Sequence, residues 1–205
     1  MQNRNVTDMF DAYPDTVIVF GENAFSQFEA LMYELKPRKL MLFTGGASVR
    51  AHGGLQYFHQ AFDYLGTDIN TFGGIEPEPR IDTVLRMIDE LTNFEPDTVV
   101  AMGGGSVMDA AKAAWLCCQT GCELGDHFGL NRWSQAHPGQ ILQRLICFPT
   151  TAGTGSEVTP YSNIVDPALE VKKLIVEIAS IPEYAFICPE LTLSAPEHVV
   201  RATAC

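Results

Sequence analysis

Basic residues are scarce in this chain. Its 205 residues hold 13 Lys and Arg against 25 Asp and Glu, a formal net charge of −12. Such a chain repels a phosphate backbone, which excludes a general nucleic-acid role but leaves room for a local spot that holds one small anion. Long apolar runs are lacking too: none approaches the ~20 residues that span a bilayer. The opening Met1 to Asp11 is polar and acidic, unlike a secretory signal. Internal repeats and low-complexity tracts are absent, and apolar segments recur from end to end, which excludes disorder. The six cysteines form no CxxC pair and no zinc-finger spacing. Cys147 and Cys188 sit inside the apolar runs LICFP and AFICP, which read as strands. The expectation is reduced thiols in a cytoplasmic protein.

What is present is an alternation of short β-rich runs with longer helical stretches. Thr16 to Phe20 reads as a strand, followed by Phe25, Phe28, Leu31, Met32 and Leu35 at helical spacing. Lys39 to Thr44 is a second strand closed by Gly45-Gly46, with Leu55, Phe58, His59, Phe62 and Leu65 marking a helix after it. Asp68 to Phe72 reads as a strand, and Ile81, Val84, Leu85, Ile88 and Leu91 as a helix. Asp97 to Met102 is the clearest buried strand and runs through Gly103-Gly104-Gly105-Ser106 into a helix from Val107 to about Cys118. The stretch from Gly121 to Gly139 reads as an irregular loop and Leu142 to Phe148 as a strand. Ser162 to Val165 and Lys173 to Ile178 read as a hairpin around Asp166-Pro167, and Tyr184 to Ile187 as a last strand. This pattern predicts an α/β fold, a mostly parallel sheet flanked by helices with a small β-hairpin, whose ligands bind at the carboxyl ends of the strands. A final helix begins near Pro196 and runs only to Cys205, so residues 196–205 are expected to start a further domain after an α/β domain of 1–195.

Two segments carry chemistry. In Gly103-Gly104-Gly105-Ser106-Val107-Met108-Asp109-Ala110-Ala111-Lys112, glycines let a ligand approach the backbone, and the helix's first N–H groups and dipole favour a pyrophosphate. Ser106 is expected as N-cap and as a donor to a phosphate oxygen. Met108 stands where GxGxxG needs its last glycine, and GxxxxGK[ST] does not occur. In Pro149-Thr150-Thr151-Ala152-Gly153-Thr154-Gly155-Ser156-Glu157-Val158-Thr159, hydroxyls that both donate and accept follow a strand. By itself this loop equally reads as one that satisfies its own backbone. Trp115 and Trp133 are expected to pack, and the five histidines to lie at the surface or behind a site, since none clusters with another ligand-type side chain.

Together, GGGSVMDAAK and PTTAGTGSEVT resemble the paired signatures of the iron-containing, or group III, alcohol dehydrogenase family. Phe20-Gly21, the GIEPEP loop at Gly74 to Pro79 and IPEYAFICPELTLSAPE at Ile181 to Glu197 extend the likeness over nearly the whole chain. The resemblance implies a Rossmann-like domain followed by an all-helical domain, assembly as a homodimer, and hydride transfer between NAD or NADP and a small alcohol or aldehyde. It implies that Gly103, Gly104, Gly105 and Ser106 hold the cofactor pyrophosphate, that Asp109 lies near the cofactor, that Thr150, Thr151 and Thr154 line its cleft, and that Lys172 reaches toward a cofactor ribose. Where NAD-preferring members carry an Asp after the second strand, this chain has Gly45; with Ser48 and Arg50 nearby, the expectation is NADP(H). Many members have Asn before the proline of the loop that precedes the third helix, whereas Glu78 precedes Pro79 here. The family metal, Fe²⁺ or sometimes Zn²⁺, is held by ligands expected beyond Cys205. No catalytic or metal-binding residue is therefore assigned within the chain, and alone it is expected to be inactive. Two other functions remain open at this point: a lyase like dehydroquinate synthase, which shares the architecture, and a non-catalytic nucleotide-binding or dimerising module.

Overall fold

Every residue of strand β4 (Thr98–Gly103) is buried, because helices cover both faces of the sheet at its centre. That is why Thr98-Val99-Val100-Ala101-Met102 is continuously apolar after its first residue instead of alternating. The computed structural model describes residues 16–46, 58, 62, 65–193, 195 and 197–203. Around β4 the described chain runs β1 (Val17–Phe20), α1 (Ala24–Leu35), β2 (Lys39–Thr44), β3 (Asp68–Phe72), α2 (Ile81–Phe94), then β4 itself. It continues as α3 (Gly105–Thr120), α4 (Leu124–His127), β5 (Gly129–Leu130), β6 (Leu145–Pro149), β7 (Tyr161–Asp166), β8 (Val171–Val176), a 3-10 turn (Ile178–Ser180), β9 (Tyr184–Ile187), α5 (Pro189–Thr192) and α6 (Glu197–Thr203).

Six strands form one sheet in the order β1-β9-β6-β4-β2-β3, parallel at every pairing. The order reverses between β2 and β4: from β2 the chain moves outward to β3, and from β4 it moves the other way to β6 and β9. Alternate residues of the central strands divide two cores. Met41, Phe43, Val99, Ala101, Leu145 and Cys147 face α2 and α3, while Leu40, Leu42, Val100, Met102, Ile146 and Phe148 face α1 together with Phe58 and Phe62. Helix α3 is buried from Val107 to Cys117, which explains why its sequence is alanine-rich on every side. On the other face Phe28 of α1 sits among Phe58, Phe62, Phe148 and Phe186 with ring centroids 4.9–5.8 Å apart.

The small sheet has the order β5-β8-β7, with β7 and β8 antiparallel and β5 parallel to β8. The hairpin differs in register from its sequence expectation, spanning 161–166 and 171–176. The Asp166 carboxylate accepts the N–H groups of Ala168 at 3.0 Å and Leu169 at 3.3 Å, so the turn consumes more residues than Asp-Pro alone. The 121–139 segment is not wholly irregular, since α4 and β5 lie in it. Strand β6 starts at Leu145 instead of Leu142, because Arg144 has φ 57° and interrupts the extended run. His127 is a correction to the surface assignment: only 2% exposed, it shares a 3.1 Å hydrogen bond with Thr120 Oγ1. Burial lowers its pKa, with Glu177 and Asp126 opposing. The expected helix at Leu55 to Leu65 lies outside the described residues apart from Phe58, Phe62 and Leu65. Among the described residues no helix is long and apolar enough to cross a membrane.

Phe28→Ala should lower stability by about 3–5 kcal/mol, the range for a buried phenylalanine truncated in a packed aromatic cluster. Tyr33→Ala, at a position 53% exposed on the same helix, should change it by less than about 0.5 kcal/mol. Urea denaturation of the two variants checks the pair.

Candidate functional site

The strand-order reversal places the ends of β2 and β4 beside each other; β4 ends in Gly103, and Gly45 follows β2 directly. Gly104 is the N-cap of α3 with extended backbone (φ −76°, ψ −177°), and its carbonyl accepts the N–H groups of Val107 and Met108. Ser106 is therefore the second residue of the helix and not its N-cap, as its sequence position suggested. Its hydroxyl oxygen instead accepts the Glu78 N–H at 3.1 Å. The N–H groups of Gly105 and Ser106 make no hydrogen bond among the described residues and lie at the positive end of the helix dipole.

None of the three glycines has positive φ, and their small size answers to close packing. A Cβ at Gly103 would stand 2.5 Å from Val107 Cγ2, one at Gly104 would stand 3.2 Å from Thr151 Oγ1, and one at Gly105 would stand 3.1 Å from Thr154 Cβ. The glycine turn and the Thr/Gly loop are thus two halves of one surface, and the Thr150 N–H donates to the Gly103 carbonyl at 2.9 Å. At the end of β2, Gly45 is buried beneath α3, and a Cβ there would lie 3.3 Å from Val107 Cγ2. At Gly46 a Cβ would meet nothing within 4 Å. Gly46 is consequently the open position of this strand end. Ser48 and Arg50 lie outside the described residues.

Between α3, the loop before α2 and the hairpin opens a cavity of about 590 Å³. It brings together Gly105, Ser106, Asp109, Thr154 and Lys172 of the sequence-derived set, and adds Glu78, Ser156 and Asn163. Thr150 and Gly103 lie behind this surface and join its halves. Thr203 of α6 borders the same cavity. Lys172 forms a 2.6 Å ion pair with Glu78, the residue that replaces the family's asparagine, with both side chains more than half exposed. Glu78 has φ 56°, and its loop is pinned by the Val165 N–H donating to the Pro79 carbonyl at 2.8 Å. Glu76 of the same loop accepts the Arg80 N–H at 3.0 Å and the Thr83 hydroxyl at 2.9 Å, which fixes the start of α2.

Asp109 is 7% exposed. Its Oδ2 accepts the Asn163 N–H at 2.9 Å, whereas its Oδ1 has no hydrogen-bond partner. Thr151 Oγ1 is likewise buried and without a partner. Unpartnered buried acceptors and hydroxyls beside a polar cavity are the groups a polar ligand would satisfy.

Sequence reasoning quoted Lys112 within the first motif but gave it no role. Fully buried, its ammonium donates to the carbonyls of Ser156 at 2.9 Å, Thr159 at 3.2 Å and Tyr161, and it lies 3.5 Å from Asp109 Oδ1. Three carbonyl acceptors match the three N–H donors of an ammonium. Burial lowers its pKa, and the Asp109 carboxylate opposes that shift. The available signal was a lysine in an otherwise apolar helix, where burial demands a partner. Asn163, in a hairpin strand, gave no such signal.

Burial pushes the thiols of Cys117, Cys147 and Cys188 up to about 12, which keeps them neutral. Among the described residues all the cysteines are free, and no group of three or more His, Cys, Asp or Glu side chains is arranged to hold a metal ion.

Residues 15–189 match the family described as iron-containing alcohol dehydrogenase, and the chain belongs to that family. Among its relatives, the NADPH-dependent butanol dehydrogenase of Clostridium saccharobutylicum is 30% identical over 193 residues, covering 91% of this chain and 46% of that protein. The alcohol dehydrogenase structure from Oenococcus oeni superposes with a TM-score of 0.82 at 26% identity, over 94% of this chain and 50% of the other. The sulfoacetaldehyde reductase of Bifidobacterium kashiwanohense, solved in complex with NAD⁺, gives 0.78 at 30% identity, over 94% and 49%. The chain therefore spans about half the length of these relatives, their N-terminal half.

Lys112→Met should cost about 3–5 kcal/mol, because it leaves Asp109 and three carbonyls without their buried cation. Urea denaturation measures the loss, and a change below about 1 kcal/mol would mean that water replaces the ammonium.

Proposed function

We propose that this chain is the cofactor-binding half of an NAD(P)-dependent alcohol dehydrogenase or aldehyde reductase. The observation that carries the proposal is the fitted pair of loops at the carboxyl ends of β4 and β6, with the Gly105 and Ser106 N–H groups free among the described residues, Gly105, Ser106, Asp109, Thr154 and Lys172 lining one cavity, and Thr151 Oγ1 buried without a hydrogen-bond partner against the glycine turn. Free N–H groups at a helix start suit a pyrophosphate, and the hydroxyl residues of the cavity, Ser106, Thr154 and Ser156, suit ribose hydroxyls or a carboxamide, which a dinucleotide combines in one molecule. When bound, the nicotinamide ring accepts or supplies the hydride exchanged with the carbon of a small alcohol or aldehyde.

The roles of the chain's own groups follow from where they lie. Gly103, Gly104 and Gly105 hold the backbone close to Thr151 and Thr154, so that the helix N–H groups form the anion cradle. Ser106, its oxygen accepting from Glu78, keeps its O–H for a phosphate oxygen. Asp109, held by Asn163 at Oδ2 and paired with the Lys112 ammonium at Oδ1, sets a buried carboxylate in the cavity wall. Thr150 fixes the cradle from behind, and Lys172 supplies a cation at the cavity's edge. The residues present fit a dinucleotide. For a metal ion they provide no ligand set among the described residues, and no step is derived through one.

NADP(H) is the preferred form in this reading, since the end of β2 carries glycine where an acid would repel a 2′-phosphate. Gly46→Asp places that charge in open space without displacing Val107. Calorimetric or fluorescence titration should show the wild-type chain binding NADPH more tightly than NADH. Gly46→Asp should weaken NADPH by about tenfold and spare NADH, a difference of roughly 1.4 kcal/mol. Equal loss for both cofactors would remove this strand end from recognition of the 2′ position. Absence of binding by the wild type would overturn the cofactor assignment.

A further inference from the structure

The amino-terminal ends of β2, β4 and β6, at the far end of the sheet from the cleft above, border a second cavity of about 510 Å³. Each of these strands is preceded by a charged residue that lines it: Arg38 before β2, Asp97 before β4 and Arg144 before β6. Lys36, at the end of α1, is the third cation. In a chain with 13 basic residues against 25 acidic ones, three cations around one cavity form a distinct local field.

The facing acid does not use these cations up. Asp97 Oδ2 accepts the backbone N–H of Arg38 at 3.0 Å and Oδ1 accepts the Thr98 hydroxyl at 3.2 Å. The same carboxylate forms an ion pair with each guanidinium, at 3.6 Å to Arg38 Nε and 3.7 Å to Arg144 Nη1, so one acid is shared by two of the three cations. Glu183 is also committed to backbone, accepting the Arg144 N–H at 2.7 Å. Among the described residues neither guanidinium makes a hydrogen bond, and the Lys36 ammonium has no partner. The floor is Trp115, whose indole N–H is taken by the Gln143 carbonyl at 3.1 Å.

Backbone conformation supplies an independent observation. Lys36 has φ 45° and Arg144 has φ 57°, in the left-handed region that glycine occupies with least strain. Two of the three cations thus occupy positions where local conformation favours glycine, and both line the same cavity.

We infer that this cavity is a second ligand site, taking a small polyvalent oxyanion: phosphate or the phosphate group of a small ester. Its size suits the ester, and guanidinium forks recognise phosphate oxygens in pairs. The site is independent of the dinucleotide proposal, being at the opposite ends of the strands.

Trp133→Phe leaves Trp115 as the chain's remaining tryptophan and a reporter at the cavity floor. In that background, fluorescence is titrated with inorganic phosphate and with ribose 5-phosphate, with chloride holding ionic strength constant. A saturable change is expected for both probes. Lys36→Gly and Arg144→Gly, which suit the local backbone and should remain folded by circular dichroism, should each weaken binding by about tenfold. Tighter binding of ribose 5-phosphate assigns the site to an ester, and equal binding assigns it to the free ion. A response that chloride reproduces, or that survives both glycine variants, would overturn the inference.

Discussion

The buried ammonium of Lys112 holds the architecture of the candidate cleft in place. Helix α3 enters the core with almost no polar surface, and the segment from Ser156 to Tyr161 crosses it with carbonyls that no sheet ladder satisfies. One side chain answers both needs, binding three of those carbonyls and standing beside Asp109. A buried cation is costly in isolation, so its acceptors must be well placed and kept. That constraint fixes the Thr/Gly loop against the start of α3, and through Asp109 and Asn163 it fixes the hairpin as well.

The glycines follow from the same constraint. Their usual explanation, room for a ligand's phosphates, is joined here by a stricter one: Val107, Thr151 and Thr154 occupy the space into which side chains would project. Close approach between the two loops and close approach of a ligand to the helix start are compatible, because the packed side of the turn and its free N–H groups face different neighbours. Substitutions at Gly103 to Gly105 consequently test packing first. Gly46, which touches nothing, is the better probe of ligand contact.

Charge is sorted along the sheet axis. Toward the carboxyl ends, Lys172 is paired with Glu78 and Lys112 is enclosed by acceptors, so attraction for an anion there relies chiefly on backbone N–H groups. Toward the amino ends, Lys36, Arg38 and Arg144 share one cavity with the single carboxylate of Asp97, which pairs with both arginines. In a chain of strong net negative charge, the two proposed anion sites thus rest on different groups, backbone N–H at one end of the sheet and side-chain cations at the other.

The strand-helix alternation, the buried β4, the hairpin and both chemical motifs were legible in the sequence, because period, apolar runs and glycine turns are local properties of the chain. The hairpin register was less so, since it depends on how many N–H groups the Asp166 side chain draws into its turn. The burial of His127 and the enclosure of Lys112 were not legible, because each depends on acceptors from segments brought near only by packing. The same holds for Ser106, which the sequence marked as a cap but whose hydroxyl is claimed by a loop 28 residues earlier. Sequence by itself determined which elements form and where glycine turns and hydroxyl-rich loops follow the strands, since these rest on backbone preference and side-chain chemistry. Only the tertiary structure decided which polar atoms are already satisfied and which face a cavity unpaired, since that depends on contacts between residues far apart in the chain.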